Sequence, residues 1–387
     1  MIYPKRIRIV SPVYPRPYKP ESGRFVANLA EGWSAQGVAV DVISATTLSE
    51  RLKGRSLRED VSIPGVNTDL VPTLGTPFAK HLPKGLYRLL LDRHNDNILS
   101  GLRGGKRPDL IYAQFAESGQ FARVVAREKG LPYFVALGES HSLLKGTTDT
   151  VEMRRTVIRD AAGIVCVSPR LQDEAIELGA DSSRVELILN FPNWARFRPM
   201  DKVECRQKLG LSQDAFIPVY VGHYYDRKGA SRLNAALHKM TKPVQAAFLG
   251  SGPLVPDFPG VIKTGSVSHE DLALWLNAAD VLALPTLAEG CCNAIAEAMA
   301  CALPAVTSDI PDVRWQVPDK GVVLVNPYDI DALAAALDEL AANPLRVAEM
   351  RESLLPLSQA DRKKSRPSEV LSWIQRTLAN DRIQCPA

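Results

Sequence analysis

Residues 284–304 read Leu-Pro-Thr-Leu-Ala-Glu-Gly-Cys-Cys-Asn-Ala-Ile-Ala-Glu-Ala-Met-Ala-Cys-Ala-Leu-Pro. A strand ends at Leu284, a loop holds Glu289 and Gly290, and a helix follows from about Cys292 to Cys301. Glu289 precedes that helix and Glu297 lies inside it, roughly two turns on. Carboxylates accept hydrogen bonds from vicinal diols, so one would hold a ribose and the other a sugar ring. Backbone N–H groups of 290–294, at the helix start, would meet an anion or a hydroxyl. The same residues equally fit a solvated helix glutamate and a second one favoured by the helix dipole.

A second segment, Val219-Tyr-Val-Gly-His-Tyr-Tyr-Asp-Arg227-Lys228-Gly229, links a strand to a helix. Two adjacent cations at such a loop suit a diphosphate, with Arg supplying a planar fork and Lys a compact charge. They would stabilise the negative charge that builds on a leaving diphosphate. The plainer reading is a basic surface turn. After the first strand, Pro20-Glu21-Ser22-Gly23-Arg24-Phe25 places a glycine where a ligand approaches backbone closely, or where the chain simply turns into a helix. Ala136-Leu137-Gly138-Glu139-Ser140-His141 sets a glycine, a carboxylate and an imidazole at another strand end, where structural roles are the commoner ones.

The elements that position these groups follow one rhythm. Strands are predicted at 7–10, 39–43, 110–113, 133–136 and 163–167, then at 217–222, 246–249, 260–264, 281–284, 304–307 and 321–325. Helices fall between them at 25–36, 119–129, 168–178, 231–240, 269–277 and 330–341. Alternation of this kind implies parallel sheets covered by helices on both faces, and here it occurs twice. The expected fold is α/β, two Rossmann-like doubly wound domains, 1–190 and 191–387. Asn190-Phe-Pro-Asn-Trp194 is the turn-prone joint between them. The amphipathic stretch 369–378 is either a core helix of the second domain or a brace that crosses back to the first.

Composition narrows the classes. The apolar fraction of 45% and charged fraction of 23% are those of an ordinary globular α/β protein. A net charge of +4 is too small for a nucleic-acid binder, so no nucleic acid is expected as partner. None of the six cysteines forms a Cys-x-x-Cys pair or a zinc-spaced cluster with histidine, which fits a reduced, cytoplasmic setting. The N-terminus lacks the apolar core of a secretory signal, and no apolar run approaches the ~20 residues that cross a bilayer. Residues 80–107 carry seven cations (Lys80, Lys84, Arg88, Arg93, Arg103, Lys106, Arg107) against Asp92 and Asp96. Leu82, Leu86, Leu89 and Leu90 recur there at helical spacing beside Tyr87. Such a helix either lies on anionic lipid or packs, solvated, on the sheet. There is no nucleophile elbow, no phosphate loop ending in Gly-Lys-Ser/Thr, no Asp-x-Asp at a strand end and no Gly-x-Gly-x-x-Gly.

Taken in order, these segments resemble the retaining GT-B glycosyltransferases of the large family-four type, the glycosyl transferases group 1. Glu289-x7-Glu297 with the following Ala-Met-Ala-Cys-Ala-Leu-Pro304 carries most of the likeness. Arg227-Lys228-Gly229, Ala278-Ala-Asp280, Leu284-Pro-Thr286, Asn190…Phe197-Arg-Pro199, Gly250-Ser-Gly-Pro253 and Gly265-Ser-Val267-Ser268 add to it. The resemblance implies two domains facing across a cleft and transfer of a hexose or related sugar, with retention, from a UDP- or GDP-sugar. The acceptor would be a glycan or lipid-linked glycan in polysaccharide, lipopolysaccharide or glycoconjugate biosynthesis. No metal or other cofactor is implied.

By position, Arg227 and Lys228 would hold the diphosphate, Glu297 the ribose and Glu289 the transferred sugar. Backbone groups of Cys292, Asn293 and Ala294 would complete the donor pocket, with Val267 near the base and Gly23 near the phosphates. Acceptor or sugar contacts are expected from Tyr14, Arg16, Tyr18 and Lys19 and from Gly138, Glu139 and His141. The enzyme would work in the cytoplasm, at the inner face of the membrane if it meets one. The chain departs from the common pattern at His223, at Leu137-Gly138-Glu139, at Leu189-Asn190-Phe191-Pro192 and at Cys292. Two other readings remain open: a nucleotide-sugar epimerase of the same architecture, and a non-catalytic nucleotide-sugar-binding scaffold.

Overall fold

The computed structural model describes residues 3–18, 22–47, 62–73, 83–359 and 364–384. Lys19, Pro20, Glu21, Lys80 and Leu82, singled out above, and Cys385, one of the six cysteines, lie outside the described residues. The chain divides into two compact units, one formed by Met1–Leu189 with Arg366–Ala387 and the other by Asn190–Ser365.

The first unit is built on seven strands: β1 (Arg6–Ser11), β2 (Ala39–Thr47), β3 (Val66–Thr73), β4 (Leu110–Gln114), β5 (Tyr133–Leu137), β6 (Gly163–Cys166) and β7 (Val185–Leu187). Their order is β3-β2-β1-β4-β5-β6-β7, and every pairing is parallel. Central strands are buried on both faces, so they read as continuous apolar runs: every residue of β4 and β5 is buried. β1 pairs with β2 on one side and β4 on the other, so the winding direction reverses between β1 and β4. In such sheets ligands gather beyond the carboxyl ends at that reversal.

Helix Arg24–Ala35 covers one face, driving Trp33 onto Tyr112 edge-to-face at 5.1 Å. Ser168 begins helix Pro169–Glu177 by accepting a hydrogen bond from Leu171 N–H, with Pro169 in the first turn where its missing N–H costs nothing. The last helix, Arg366–Gln384, belongs to this unit rather than the second. Trp33 Nε1 donates to the Pro367 carbonyl at 2.9 Å, and Trp373 packs edge-on against Phe134 at 5.4 Å. Burial of these aromatics is the reason the amphipathic stretch returns, and it moves residues 366–384 out of the expected second domain.

The second unit has six parallel strands: β8 (Pro218–Val221), β9 (Ala246–Leu249), β10 (Val261–Gly265), β11 (Val281–Leu284), β12 (Ala305–Ser308) and β13 (Val322–Val325). They are ordered β10-β9-β8-β11-β12-β13, reversing between β8 and β11. Asp280 ties the starts of those two strands together. Its carboxylate accepts from Ile217 N–H at 2.6 Å and from the buried Arg206 guanidinium at 2.9 Å, and it also pairs with Lys202. Both units are therefore doubly wound α/β.

Candidate functional site

The loops leaving β8 and β11 are laced into one platform at the reversal point of the second sheet. Leu287 N–H donates to the Arg227 carbonyl at 2.8 Å, and Arg227 Nη1 returns a bond to the Ala288 carbonyl at 2.6 Å. Arg232 Nε donates to the Pro285 carbonyl at 3.0 Å. Gly229 makes this approach possible: it has φ +86°, and a β-carbon there would collide with the Pro285 carbonyl oxygen. Tyr224 N–H also reaches the Ser251 carbonyl at 2.9 Å, which joins the loop after β9 to the same platform.

On it, Lys228 Nζ lies 2.7 Å from each oxygen of Glu289. The Glu289 side chain is only 5% exposed, and Lys228 is 21% exposed. Thr286 Oγ1 adds a third contact, 2.9 Å from Glu289 Oε1. Arg227 is exposed beside them. Helix Asn293–Ala300 begins next to this pair and carries Glu297, half-buried, one turn in. Its first-turn N–H groups, those of Asn293 and Ala294 among them, have no intrahelical acceptor and form a ready anion site. Asn293 Oδ1 accepts from Asn190 Nδ2 at 3.0 Å. Val267 is half-buried against the core of this unit, just past the end of β10.

The Cys292 backbone is engaged by a side chain: its N–H donates to Gln316 Oε1 at 2.9 Å and its carbonyl accepts from Gln316 Nε2 at 2.8 Å. That amide clamp fixes the helix start and occupies the Cys292 N–H. Burial, and then the Glu289 charge, push the Cys292 thiol up to about 12, so it is neutral. The cysteines among the described residues are all free thiols. Gln316 and Asp312, whose carboxylate accepts from Glu289 N–H at 3.3 Å, carry no motif that points to them.

The first unit's candidates are arranged differently. Gly23 caps helix Arg24–Ala35 with φ +73°, and a β-carbon there would collide with the backbone of Val13 and Tyr14. The glycine is thus explained by the chain's own close approach. Tyr14 and Arg16 are buried, at 2% and 6% exposure, rather than displayed on the loop surface. Glu139 is turned inward as well. Its carboxylate accepts from Ala116 N–H and from Gly138 N–H, both at 2.8 Å, and burial raises its pKa to about 7. Phe115, just before helix Ala116–Lys129, has φ +70°, a strained conformation for a bulky residue at the end of β4. His141 is exposed, with Nε2 3.3 Å from an Arg154 nitrogen. Arg154 holds the Leu143 and Lys145 carbonyls, and Arg170 holds those of Glu139 and His141, so two arginines shape the 138–145 loop.

Of the basic stretch, residues 83–107 are described. Helix Lys84–Arg103 exposes Leu86, Leu89 and Leu91, while Arg103 pairs with Glu128 and Arg107 donates to the Lys129 carbonyl. Among the described residues, no helix is long and apolar enough to cross a membrane, and no group of three or more His, Cys, Asp or Glu side chains gathers as a metal site.

Two doubly wound units, with a cationic platform and a helix N-terminus at the switch point of the second, define the class of two-unit α/β architecture to which the chain belongs. Residues 22–190 match the family described as Glycosyl transferase 4-like domain, and residues 215–343 match that described as Glycosyl transferases group 1. The chain belongs to this group 1 glycosyltransferase family. A Bacillus subtilis protein named as a teichuronic acid biosynthesis glycosyltransferase, TuaC, is 30% identical over 65% of this chain and 66% of its own length. The chain thus spans just under two thirds of that relative. Among solved structures, sucrose-phosphate synthase from Thermosynechococcus elongatus superposes with a TM-score of 0.78 at 19% identity, covering 98% of this chain and 99% of that one. Anabaena Alr3699/HepE, in complex with UDP and glucose, has a TM-score of 0.72 at 16% identity, covering 97% and 100%. The structural likeness establishes the GT-B fold.

Proposed function

We propose that this glycosyltransferase moves a hexose or related sugar from a UDP- or GDP-sugar to a hydroxyl of a glycan or lipid-linked glycan, with retention at the anomeric carbon. The observation that carries the reading is the Arg227–Lys228–Glu289 platform beside the N-terminus of helix Asn293–Ala300. Cations and helix N–H groups there suit a diphosphate, and Glu289 and Glu297 suit the hydroxyls on either side of it. HepE, a protein of the same fold, is in complex with UDP and glucose, which supports a nucleotide-sugar donor here.

In the reaction, the bond between the anomeric carbon and the β-phosphate oxygen breaks, and the electron pair stays on the phosphate. Arg227 and Lys228 stabilise that charge, in the role a divalent metal fills elsewhere. The acceptor oxygen bonds to the anomeric carbon from the same face, and its proton passes to the leaving phosphate. Glu289 and Glu297 bind hydroxyls and are not an acid/base pair. Exposed Leu86, Leu89 and Leu91 beside Arg88 and Arg93 support a membrane-surface acceptor.

The test is a thermal-shift series with UDP, GDP, ADP and their sugars, with and without EDTA, on the wild type and Lys228→Ala. A ligand that binds the native state raises the melting temperature. A rise with one nucleotide family, indifferent to EDTA and lost in Lys228→Ala, is expected. No rise with any of them refutes the donor site.

A further inference from the structure

We infer that Thr286 is a positioning residue: its hydroxyl holds the Glu289 carboxylate in the orientation that meets the transferred sugar. The inference rests on the donor-site reading above and assigns a role to a side chain with no place in that reading.

Thr286 is fully buried, so it has no direct access to solvent or ligand. Three acceptors lie near Oγ1: Glu289 Oε1 at 2.9 Å, the Arg227 carbonyl at 3.1 Å and the Ala288 carbonyl at 3.4 Å. The hydroxyl has one proton to give. Hydrogen bonds to an ionised acceptor are roughly twice as strong as neutral ones, and the carboxylate is also the nearest of the three. The proton therefore goes to Glu289.

The donor is itself rigid. Threonine is stiff at χ1 because of its branched β-carbon. Its backbone is held on both sides, with Thr286 N–H bonded to the Leu284 carbonyl at 2.9 Å and its own carbonyl accepting from Ser308 Oγ. Ser308 is fully buried at the end of β12. A chain of fixed groups thus runs from β12 through Thr286 to Glu289.

Lys228 alone does not supply this. Its ammonium contacts both carboxylate oxygens equally, and a compact charge on a four-carbon stem sets little direction. Thr286 breaks the symmetry by marking Oε1 as the inner oxygen. Deleting its hydroxyl leaves the carboxylate charged, buried and ion-paired, but removes the bond that marks Oε1 as the inner oxygen.

The experiment measures binding by calorimetry of UDP, UDP-glucose, GDP and GDP-mannose to the wild type, Thr286→Val, Thr286→Ser, Glu289→Gln and the Thr286→Val/Glu289→Gln double variant. Thr286→Val should bind the free nucleotide diphosphate as the wild type does. It should lose about tenfold in the affinity the sugar adds, the size of one hydrogen bond to a charged group. Thr286→Ser should restore that increment. The double variant should lose little more than Glu289→Gln alone, because both changes act through one carboxylate. Should Thr286→Val fail to fold, Thr286→Ala serves in its place.

An equal loss for nucleotide and nucleotide-sugar in Thr286→Val would mark a purely structural residue and overturn the inference. So would a sugar-specific loss in Glu289→Gln with none in Thr286→Val. If Glu289→Gln itself shows no sugar-specific loss, or if no probe binds the wild type, the donor-site reading falls and this inference falls with it.

Discussion

Lys228 and Glu289 stand 61 positions apart in the chain and 2.7 Å apart in the fold, where strand order alone brings them together. The pairing means that neither residue can be changed without consequence for the other. Removing one partner of a largely buried pair leaves the other charge uncompensated, at a cost of about 3 kcal/mol. Lys228→Ala is therefore expected to lower the urea midpoint, and Lys228→Met combined with Glu289→Gln to recover most of the loss. Equilibrium unfolding of the three proteins checks this, and a double variant no more stable than Lys228→Ala would refute it.

Gly229 and Gly210 both have positive φ, +86° and +67°, but only Gly229 meets other atoms. Gly210→Ala carries only the left-handed backbone penalty, about 1–2 kcal/mol. Gly229→Ala adds a clash with the Pro285 carbonyl and should push the two loops apart. Its unfolding free energy should drop by at least 1 kcal/mol more than that of Gly210→Ala, an additional cost of the overpacking kind. Equal drops would show that the loops separate without resistance.

The buried Glu139 makes stability depend on pH. Its pKa is raised to about 7 by burial, against about 4.3 for a free glutamate. The folded state therefore holds the proton more tightly than the unfolded chain. Its contribution is fully present below about pH 4.3, fades as pH rises toward 7 and is flat beyond. The difference in unfolding free energy between wild type and Glu139→Gln should shift by about 3 kcal/mol between pH 4.5 and 8, with the wild type relatively weaker at the higher pH. A pH-independent difference would mean the two N–H donors keep the carboxylate ionised throughout.

Trp373 tests the returning helix. It is 4% exposed and packs on Phe134. Trp373→Ala should cost the first unit about 4 kcal/mol. Hydrogen exchange read by mass spectrometry should show lost protection in β4 and β5 and unchanged protection in β8 and β11. Uniform loss in both units would contradict the division of the chain.

Much of this architecture can be read from the residues alone, for a physical reason. A strand buried on both faces is apolar along most of its length, so β4, β5 and β9 announce themselves. β3 and β7 do not. Val66–Thr73 is interrupted by Asn67, Asp69 and Pro72, as an edge strand tolerates, and β7 has only three residues. Helix Thr148–Arg159 hides behind a polar sequence, though Arg154 in it is buried. In the site, the cations and carboxylates stand out because their chemistry is local. The Gln316 clamp on Cys292 depends on how β11 and β12 lie side by side, which no spacing encodes, and the Thr286 contact to Glu289, only three residues along, depends on the turn of the loop after β11. Glu139 misleads for the opposite reason: at a strand end a carboxylate reads as a ligand group, whereas here it caps backbone N–H groups.

The return of residues 366–384 to the first unit sets an order of events during synthesis. Residues 190–365, the whole of the second unit, emerge from the ribosome before the helix that completes the first. The first unit must wait with Trp33 and Phe134 uncovered while its neighbour is finished, although its own strands were made earlier. The unit whose strands are made first is the one that matures last, and it is the more exposed to premature aggregation if elongation stalls before residue 366.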